Sequence, residues 1–413
     1  MALAALIFAS QTIDDGSDLL RAALPLAGAT LLEHQVRRAV RAGALHIIIL
    51  VERLPAPLIA AIDRLRRDGF RVDIARTVAD AADRIHPDET VLIVADGCIA
   101  PAAAFERLAA AHAPALLALS DQPGLEDFER IDAHSRWAGL ALIEGGRLQE
   151  TAAQLGDWDF ALTLLRRMLQ AGAVILPAVA AHGEGGDPEH PVFAREAADL
   201  SALEQRIIDG SAGMRVGWPA RYIFPLIERS AIAALARRQL DPWWIQLASV
   251  VLALLAFAPA AAGWFTTGLL LLVASGPVAS IAQRLADVRV TRLRHEQRLR
   301  EARLMIAAAA LVVLGVRLGD DGQWGWALLA VLVIGVMAAL ASEWRTARRL
   351  DNRAPMPFMA TGDGLIWMFL PFAAGGLWGS GMVAAALYAI TSFVVAQRMV
   401  HDAIALKMRG QQV

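Results

Sequence analysis

The chain has a single cysteine, Cys98, and a single lysine, Lys407, among its 413 residues. One cysteine cannot form a disulfide within the chain, and it cannot supply a cluster of thiolate ligands to a metal. The 39 basic residues, nearly all arginine, are matched by 41 acidic residues, so the formal charge is only −2. A chain with this charge balance gives no reason to expect a nucleic-acid partner.

Charge is absent altogether from two long stretches, 242–283 and 364–397, in a chain that is 56% hydrophobic. A helix of about 20 apolar residues crosses a bilayer, so each stretch is long enough for two spans. The segments 304–319 and 322–342 add two further candidates. We therefore predict an all-α domain of six transmembrane helices in residues 242–413, with the third and the fifth as the weak ones.

The arginines are distributed unevenly over the loops that connect these predicted helices. They crowd the loops at 284–303 and 343–353, whereas the alternate loops together hold a single arginine, Arg317. Loops rich in lysine and arginine stay in the cytoplasm. The pattern predicts a multi-pass protein of the bacterial inner (cytoplasmic) membrane, with both termini and the large N-terminal domain on the cytoplasmic side.

Residues 1–222 alternate short apolar runs with amphipathic stretches such as Thr30–Ala42, a pattern typical of an α/β domain. A juxtamembrane helical linker at 223–241 is predicted to join this domain to the membrane domain. The predicted strands are Leu6–Ala9, His46–Val51, Thr90–Ala95 and Ala115–Leu119.

Three segments of this domain resemble the sugar-nucleotide transferases: LPLAGATLLEHQVRRAVRAGALHIIILVE (24–52), VLIVADGCIAP (91–101) and AADLSALEQRII (197–208). The resemblance implies a three-layer nucleotidyltransferase-like fold. It also implies that Asp96, which follows a strand, occupies the position of the aspartate that holds the catalytic Mg²⁺.

Three features of that family are missing here. The loop after the first strand has one glycine, Gly16, and three acids, instead of a glycine-rich cradle for a triphosphate. The domain contains no lysine to neutralise a nucleotide. Arg195 stands where a second metal-binding aspartate belongs. Asp96 is therefore a metal candidate without a partner carboxylate.

The junction after the second predicted span resembles the site of the CDP-alcohol phosphatidyltransferases, and the whole chain is similar to bifunctional inositol-phosphate cytidylyltransferase/phosphotransferase proteins. In that family the motif D-x2-D-G-x2-A-R-x8-G-x3-D-x3-D supplies four carboxylates that hold two metals on a CDP-alcohol. With Ala282 on the motif's alanine, Ser275 and Val278 replace the first two aspartates. Glu296 and Arg300 then stand at the third and fourth.

Carboxylates are scarce at this junction whatever the alignment. Residues 242–319 contain three acids, so a site of four carboxylates cannot be assembled there. Glu296 and Asp287 are the candidate catalytic residues, and Arg289, Arg292 and Arg300 are candidate ligands for a phosphate or a lipid headgroup. The alternative is that these arginines only anchor the chain at the membrane surface. We further predict that 276–303 forms one continuous helix and that Asp363 caps a later helix.

Two functions from different classes are compatible with these features. In the first, the chain is a non-catalytic membrane scaffold or regulatory subunit, which the loss of both active-site motifs favours. Its expected partners are the lipid bilayer, an anionic headgroup or diphosphate, and a second copy of the chain or a related membrane enzyme. In the second, it is an active transferase that moves a phospho-alcohol group from a CDP-alcohol, with Mg²⁺ as cofactor and a strongly altered site.

Overall fold

The chain folds into two compact units in the computed structural model. The N-terminal unit contains Met1–Ala212 and the short segment Val288–Thr291, and the C-terminal unit contains Gly213–Asp287 and Arg292–Val413. The sequence places the boundary after residue 222, ten residues later than the structure does. The residues that the structure describes are 2–13, 19–126, 128–154, 159–178, 188, 191–194, 197–210, 216–236, 240–291, 295–319, 322–350 and 358–410.

The described part of the N-terminal unit contains eleven strands. Seven of them form one sheet in the order β10-β8-β9-β6-β1-β4-β5, and all neighbours are parallel except that β9 is antiparallel to both β6 and β8. The strands are β1 (Leu3–Phe8), β2 (Pro25–Leu26), β3 (Ala29–Thr30), β4 (His46–Leu50), β5 (Val72–Ala75), β6 (Thr90–Val94), β7 (Cys98–Ile99), β8 (Ala115–Ser120), β9 (Ser135–Glu144), β10 (Val174–Pro177) and β11 (Val192–Phe193).

The central strands β1, β4 and β6 are almost continuously apolar and buried. Strands that are covered on both faces have this composition, because neither face meets water. All four strands predicted from the sequence are confirmed as β1, β4, β6 and β8, although β1 begins at Leu3 rather than Leu6.

Seven helices are described in the N-terminal unit. Among them α1 contacts α2 and α4, while α5 contacts α3 and α6, as expected for two groups on opposite faces of the sheet. The helices are α1 (Leu31–Arg41), α2 (Ala56–Arg67), α3 (Val78–Asp83), α4 (Ala102–Ala109), α5 (Gly145–Ala153), α6 (Phe160–Gln170) and α7 (Ala197–Gly210), and a 3₁₀ turn covers Arg21–Ala23.

The predicted helix at Thr30–Ala42 is confirmed as α1, and its start is set by a capping box. The Thr30 hydroxyl accepts a hydrogen bond from the Glu33 N–H at 3.3 Å, and the Glu33 carboxylate accepts from the Thr30 N–H at 2.8 Å. The same carboxylate accepts two bonds from the Arg64 guanidinium, at 2.9 and 2.8 Å. Glu33 is therefore fully buried without an unsatisfied charge.

The segment Val288–Thr291 packs against α1 within the N-terminal unit. The Arg37 side chain donates from Nη1 to the carbonyl oxygen of Arg289 at 3.0 Å, and the His34 ring hydrogen-bonds the backbone of Val288. Burial lowers the pKa of His34 to about 3, so its ring is neutral at physiological pH. This late segment is thus an integral part of the N-terminal unit.

All the described secondary-structure elements of the C-terminal unit are helical. A π-helical turn, Pro219–Ile223, leads into the first of its helices. These are α8 (Phe224–Ala236), α9 (Pro242–Ala261), α10 (Phe265–Val288), α11 (Glu296–Leu318), α12 (Gly325–Leu350), α13 (Gly362–Ala374) and α14 (Trp378–Gly410).

Four of these helices are long and apolar enough to cross a membrane, namely α9, α10 and parts of α12 and α14. The other two predicted spans fall in α11, whose first two turns are charged, and in α13, which has only 13 residues. The C-terminal region therefore has four candidate membrane helices, and the count of six stays a prediction.

Candidate functional site

A first candidate site lies at the carboxyl ends of β1 and β6. From β1 the chain forms β4 and β5 on one side, and it then crosses to the other side of β1 to form β6. Loops that leave neighbouring parallel strands in opposite directions open a crevice where such sheets bind ligands. Asp96 follows β6 and Gln11 follows β1, so both lie at this edge of the sheet.

The turn that carries Asp96 is held from α1 and by a glycine. The buried Gln35 side chain donates from Nε2 to the carbonyl oxygens of Ala95 at 3.1 Å and Cys98 at 2.8 Å. Gly97 has a φ of +72°, and a Cβ there would lie 2.9 Å from a backbone carbonyl oxygen. A left-handed residue with no room for a side chain requires glycine. The role of Gln35 was not predictable, because a glutamine in a helix gives no local sign of a distant partner.

The Asp96 carboxyl group is buried, with 5% of its surface exposed. Its Oδ2 atom accepts a hydrogen bond from the Gln11 N–H at 2.6 Å, whereas Oδ1 is buried without a hydrogen-bond partner. Burial raises the pKa of Asp96 to about 7, against the opposing effects of neighbouring backbone N–H groups and the positive charge of Arg21. The carboxyl group is therefore partly protonated at neutral pH.

These surroundings do not fit a resident Mg²⁺ ion. Magnesium binds oxygen ligands in octahedral geometry and usually needs carboxylates together with substrate phosphates. Here the positive charge of Arg21 acts on Asp96, and the Arg21 guanidinium donates from Nη1 to Gln11 Oε1 at 2.7 Å and from Nε to the Thr12 carbonyl oxygen at 3.2 Å. Within the described ranges no group of three His, Cys, Asp or Glu residues could hold a metal. Gly16 and Arg195 lie outside the described residues.

The junction after the second predicted span is not one helix, so the prediction of a continuous helix over 276–303 is wrong. Helix α10 ends at Val288 and α11 begins at Glu296. Val290 and His295 have φ values of +55° and +56°, which end the regular helical hydrogen-bond pattern. Residues 284–303 contain no glycine and no proline, the usual sequence signals of such a break.

The three arginines predicted to bind phosphate are in different situations. Arg289 belongs to the N-terminal unit, is buried, and donates from Nε to the Ala27 carbonyl oxygen at 3.4 Å. Arg292 lies outside the described residues. Arg300 is exposed on the second turn of α11 in the C-terminal unit. Their use as phosphate ligands stays a prediction.

The two candidate catalytic acids are both exposed. Glu296, the first residue of α11, accepts a hydrogen bond from Gln283 Nε2 at 3.0 Å. Asp287 is the second-to-last residue of α10. Neither belongs to a metal-binding group in the part of the chain that the structure describes.

The C-terminal unit instead contains a buried ion pair between α11 and the start of α13. Arg303 is 3% exposed, and it donates from Nη2 to Asp363 Oδ2 at 2.9 Å and from Nη1 to the Ser275 hydroxyl at 3.2 Å. Nη1 also lies 2.7 Å from Asp363 Oδ1, at an angle too poor for a hydrogen bond, so this contact is one of charge alone. The predicted capping role of Asp363 is wrong, because Thr361 caps α13 and accepts from the Gly364 N–H at 3.0 Å.

A glycine in α10 makes room for this ion pair. A Cβ at Gly276 would lie 3.0 Å from Asp363 Oδ1 and 3.0 Å from the ring of Phe224. The Phe224 ring packs in turn against Trp367, with ring centroids 5.9 Å apart. A side chain at 276 would therefore require the Asp363 carboxylate and the Phe224 ring to shift by a few tenths of an ångström.

A second buried ion pair joins α8 to α10. The Arg284 Nη1 atom lies 3.0 Å from Glu228 Oε2, and the Ser280 hydroxyl donates to Glu228 Oε1. Glu228 is 1% exposed and the Arg284 side chain 8% exposed. Sequence reasoning missed this pair, because its members are 56 residues apart in the chain.

No protein-family model and no curated protein matches this chain. Its chemistry is therefore argued from the side chains. Among the described buried arginines near the junction, Arg284 and Arg303 are paired with carboxylates, whereas Arg289 donates to a backbone carbonyl oxygen. Buried ion pairs of this kind hold helices together and occupy the carboxylates of Glu228 and Asp363.

Proposed function

We propose that this chain is a non-catalytic membrane protein that acts as a scaffold or regulatory subunit. Its N-terminal unit is a nucleotidyltransferase-like domain, and its C-terminal unit is a six-span domain similar to the CDP-alcohol phosphatidyltransferases. Its partner is a second copy of the chain or a related membrane enzyme.

The contact between Arg303, Asp363 and Ser275 carries this proposal. In the register of the family resemblance, Ser275 occupies the position of the first metal-binding aspartate. Here its hydroxyl group accepts a hydrogen bond from a guanidinium group, which is already paired with the nearby carboxylate. A guanidinium balances negative charge as a metal would, but it has no open coordination position at which an alcohol could be activated. We interpret the ion pair as a replacement for the metal centre.

The N-terminal unit supports the same conclusion. Asp96 has a raised pKa, and among the described residues it belongs to no group of three His, Cys, Asp or Glu side chains that could hold a metal. The C-terminal unit can still bind an anionic group, because the exposed guanidinium of Arg300 can bind phosphate. Binding of a phosphate-containing headgroup without turnover is the expected behaviour.

The test is a radiolabelled CDP-alcohol assay in membranes that contain the full chain, at millimolar Mg²⁺ or Mn²⁺. We expect no CMP release above membranes that lack the protein. The matched variants are Glu296→Ala, which removes the best-placed acid, and Gln297→Ala, which removes its neutral neighbour. Metal-dependent CMP release that is lost in the first variant and kept in the second would establish the alternative, an active transferase with an altered site.

The proposed placement is the bacterial inner membrane with both termini in the cytoplasm. It is tested by impermeant thiol labelling of intact cells and of inverted vesicles, in a Cys98→Ala background. Gly322→Cys is expected to react from the outside and Asp287→Cys from the inside. The opposite pattern would show that the orientation is reversed.

A further inference from the structure

Helix α8 buries its acid, Glu228, and Ile232, but it exposes Leu226 and Ile227 in its first turn. Glu228 is 1% exposed, whereas Leu226 is 75%, Ile227 43% and Tyr222 52% exposed. A helix that lies on a protein in water shows the opposite arrangement, because burying a carboxylate is costly and burying a leucine is favourable. The exposed face of α8 is thus suited to surroundings that are not water.

The rotation of α8 about its own axis is fixed by contacts on its buried side. The Glu228 carboxylate is paired with Arg284 and accepts from the Ser280 hydroxyl, both on α10. One turn earlier, Phe224 packs against Trp367 of α13. Turning the helix to bury Leu226 would break the ion pair and leave two uncompensated charges. The contacts of Glu228 and Phe224 therefore keep the apolar face of α8 exposed.

The chain position of α8 places its C-terminal end close to a membrane surface. Helix α9, a candidate membrane span, begins at Pro242, six residues after α8 ends. Trp243 and Trp244 stand in its first turn, and Trp244 is 61% exposed. Tryptophans at the end of a span mark the headgroup level. The connecting residues reach roughly 20 Å at most, so the end of α8 lies within that distance of the headgroups.

An aromatic residue from another part of the unit extends the same face. Phe358 is 66% exposed and stacks on Tyr222, with ring centroids 6.0 Å apart. Tyr222 combines an apolar ring with a polar hydroxyl, a combination that suits the boundary between headgroups and acyl chains. The neighbouring Arg221 is exposed and supplies a positive charge for lipid phosphates.

We propose that α8 is an interfacial helix, and that its Leu226 and Ile227, together with the adjoining Tyr222 and Phe358, insert into the lipid at the headgroup–acyl boundary. The segment that the sequence describes as a linker is then a membrane-binding element, and its partner is the lipid leaflet itself. This inference rests on the proposed membrane placement of the C-terminal unit.

The experiment measures the depth of single labelled positions in the full chain, reconstituted in nanodiscs. In a Cys98→Ala background, a fluorescent NBD label is attached to Leu226→Cys or Ile227→Cys on α8. Val331→Cys, on the exposed side of α12, serves as the control for the membrane span, and Asp63→Cys on α2 as the control for water. Each label is quenched with aqueous iodide, and with lipids that carry a doxyl group near the headgroup or deep in the acyl chain.

We expect the α8 labels to be quenched by the shallow doxyl lipid and to be at least threefold less sensitive to iodide than the Asp63 label. The Val331 label should respond to the deep doxyl lipid. If the Val331 label behaves so but the α8 labels respond to iodide, or to neither quencher, the inference is overturned, because water or protein then covers the face. If the Val331 label itself responds to iodide, the membrane placement fails as well.

Discussion

Replacing Arg303 by alanine should destabilise the C-terminal unit strongly while leaving the N-terminal unit unchanged. Removal of one partner from a buried ion pair costs about 3–5 kcal/mol, because the other charge stays behind without compensation. The Asp363 side chain is 27% exposed, so water offsets part of this cost, and we expect about 3 kcal/mol. For a unit of this size that corresponds to a melting temperature about 6–12 °C lower.

The measurement is thermal unfolding in detergent micelles, followed separately for the two units, over a double-mutant cycle of Arg303→Ala and Asp363→Ala. The double variant should be more stable than the sum of the two single losses predicts, by about 1–3 kcal/mol. Arg303→Lys, which keeps the charge but not the planar fork, should lie between wild type and Arg303→Ala. A coupling below about 0.5 kcal/mol would refute the ion pair as a source of stability. A Mg²⁺-dependent recovery of Arg303→Ala would instead indicate that a metal can replace the guanidinium.

Three further outcomes concern the N-terminal unit and are measured by its unfolding transition. Because burial raises the pKa of Asp96 from 3.8 to about 7, the native state keeps a proton that the unfolded chain loses, so stability should fall between about pH 4 and pH 7. Asp96→Asn should remove this slope and be about 4 kcal/mol more stable than wild type at pH 8, but close to wild type near pH 4. An unchanged slope would contradict this prediction. Glu33→Ala should lower the free energy of unfolding by about 3–5 kcal/mol, because it leaves Arg64 without its buried partner. Glu33→Gln can still cap α1 and should lower it less. Equal losses of stability in the two variants would argue against the capping contribution. Gly139→Ala should cost about 1–3 kcal/mol because its Cβ would lie 2.8 Å from the Cys98 sulfur, and adding Cys98→Ala should recover part of that loss.

Features that depend on local sequence were predictable. The apolar runs of β1, β4, β6 and β8 follow from composition, and the start of α1 follows from the spacing of Thr30 and Glu33. The position of Asp96 at a strand end was equally visible, because the end of an apolar run can be read directly from the sequence.

Features that depend on long-range pairing were not predictable. The antiparallel course of β9 is decided by its neighbours β6 and β8, and the alternation of apolar runs does not specify strand direction. The break after Val288 has no glycine or proline to signal it. Arg303 and Asp363 are 60 residues apart in the chain. Nothing in the local sequence around either residue indicates that the two side chains form a pair. For the same reason, the sequence showed that carboxylates are missing from the junction, but it did not show that buried ion pairs have formed there.

The inclusion of Val288–Thr291 in the N-terminal unit has a consequence for synthesis of the chain. Residues up to Ala212 leave the ribosome about 75 residues ahead of that segment. At 5–20 residues per second this interval lasts about 4–15 s, and the second candidate membrane helix is made within it. Until then the nascent domain lacks the backbone groups that pair with His34 and Arg37. The N-terminal unit can therefore be completed only after the second apolar helix has been translated. In chains whose translation stops earlier, this unit stays incomplete and is accessible to chaperones and proteases.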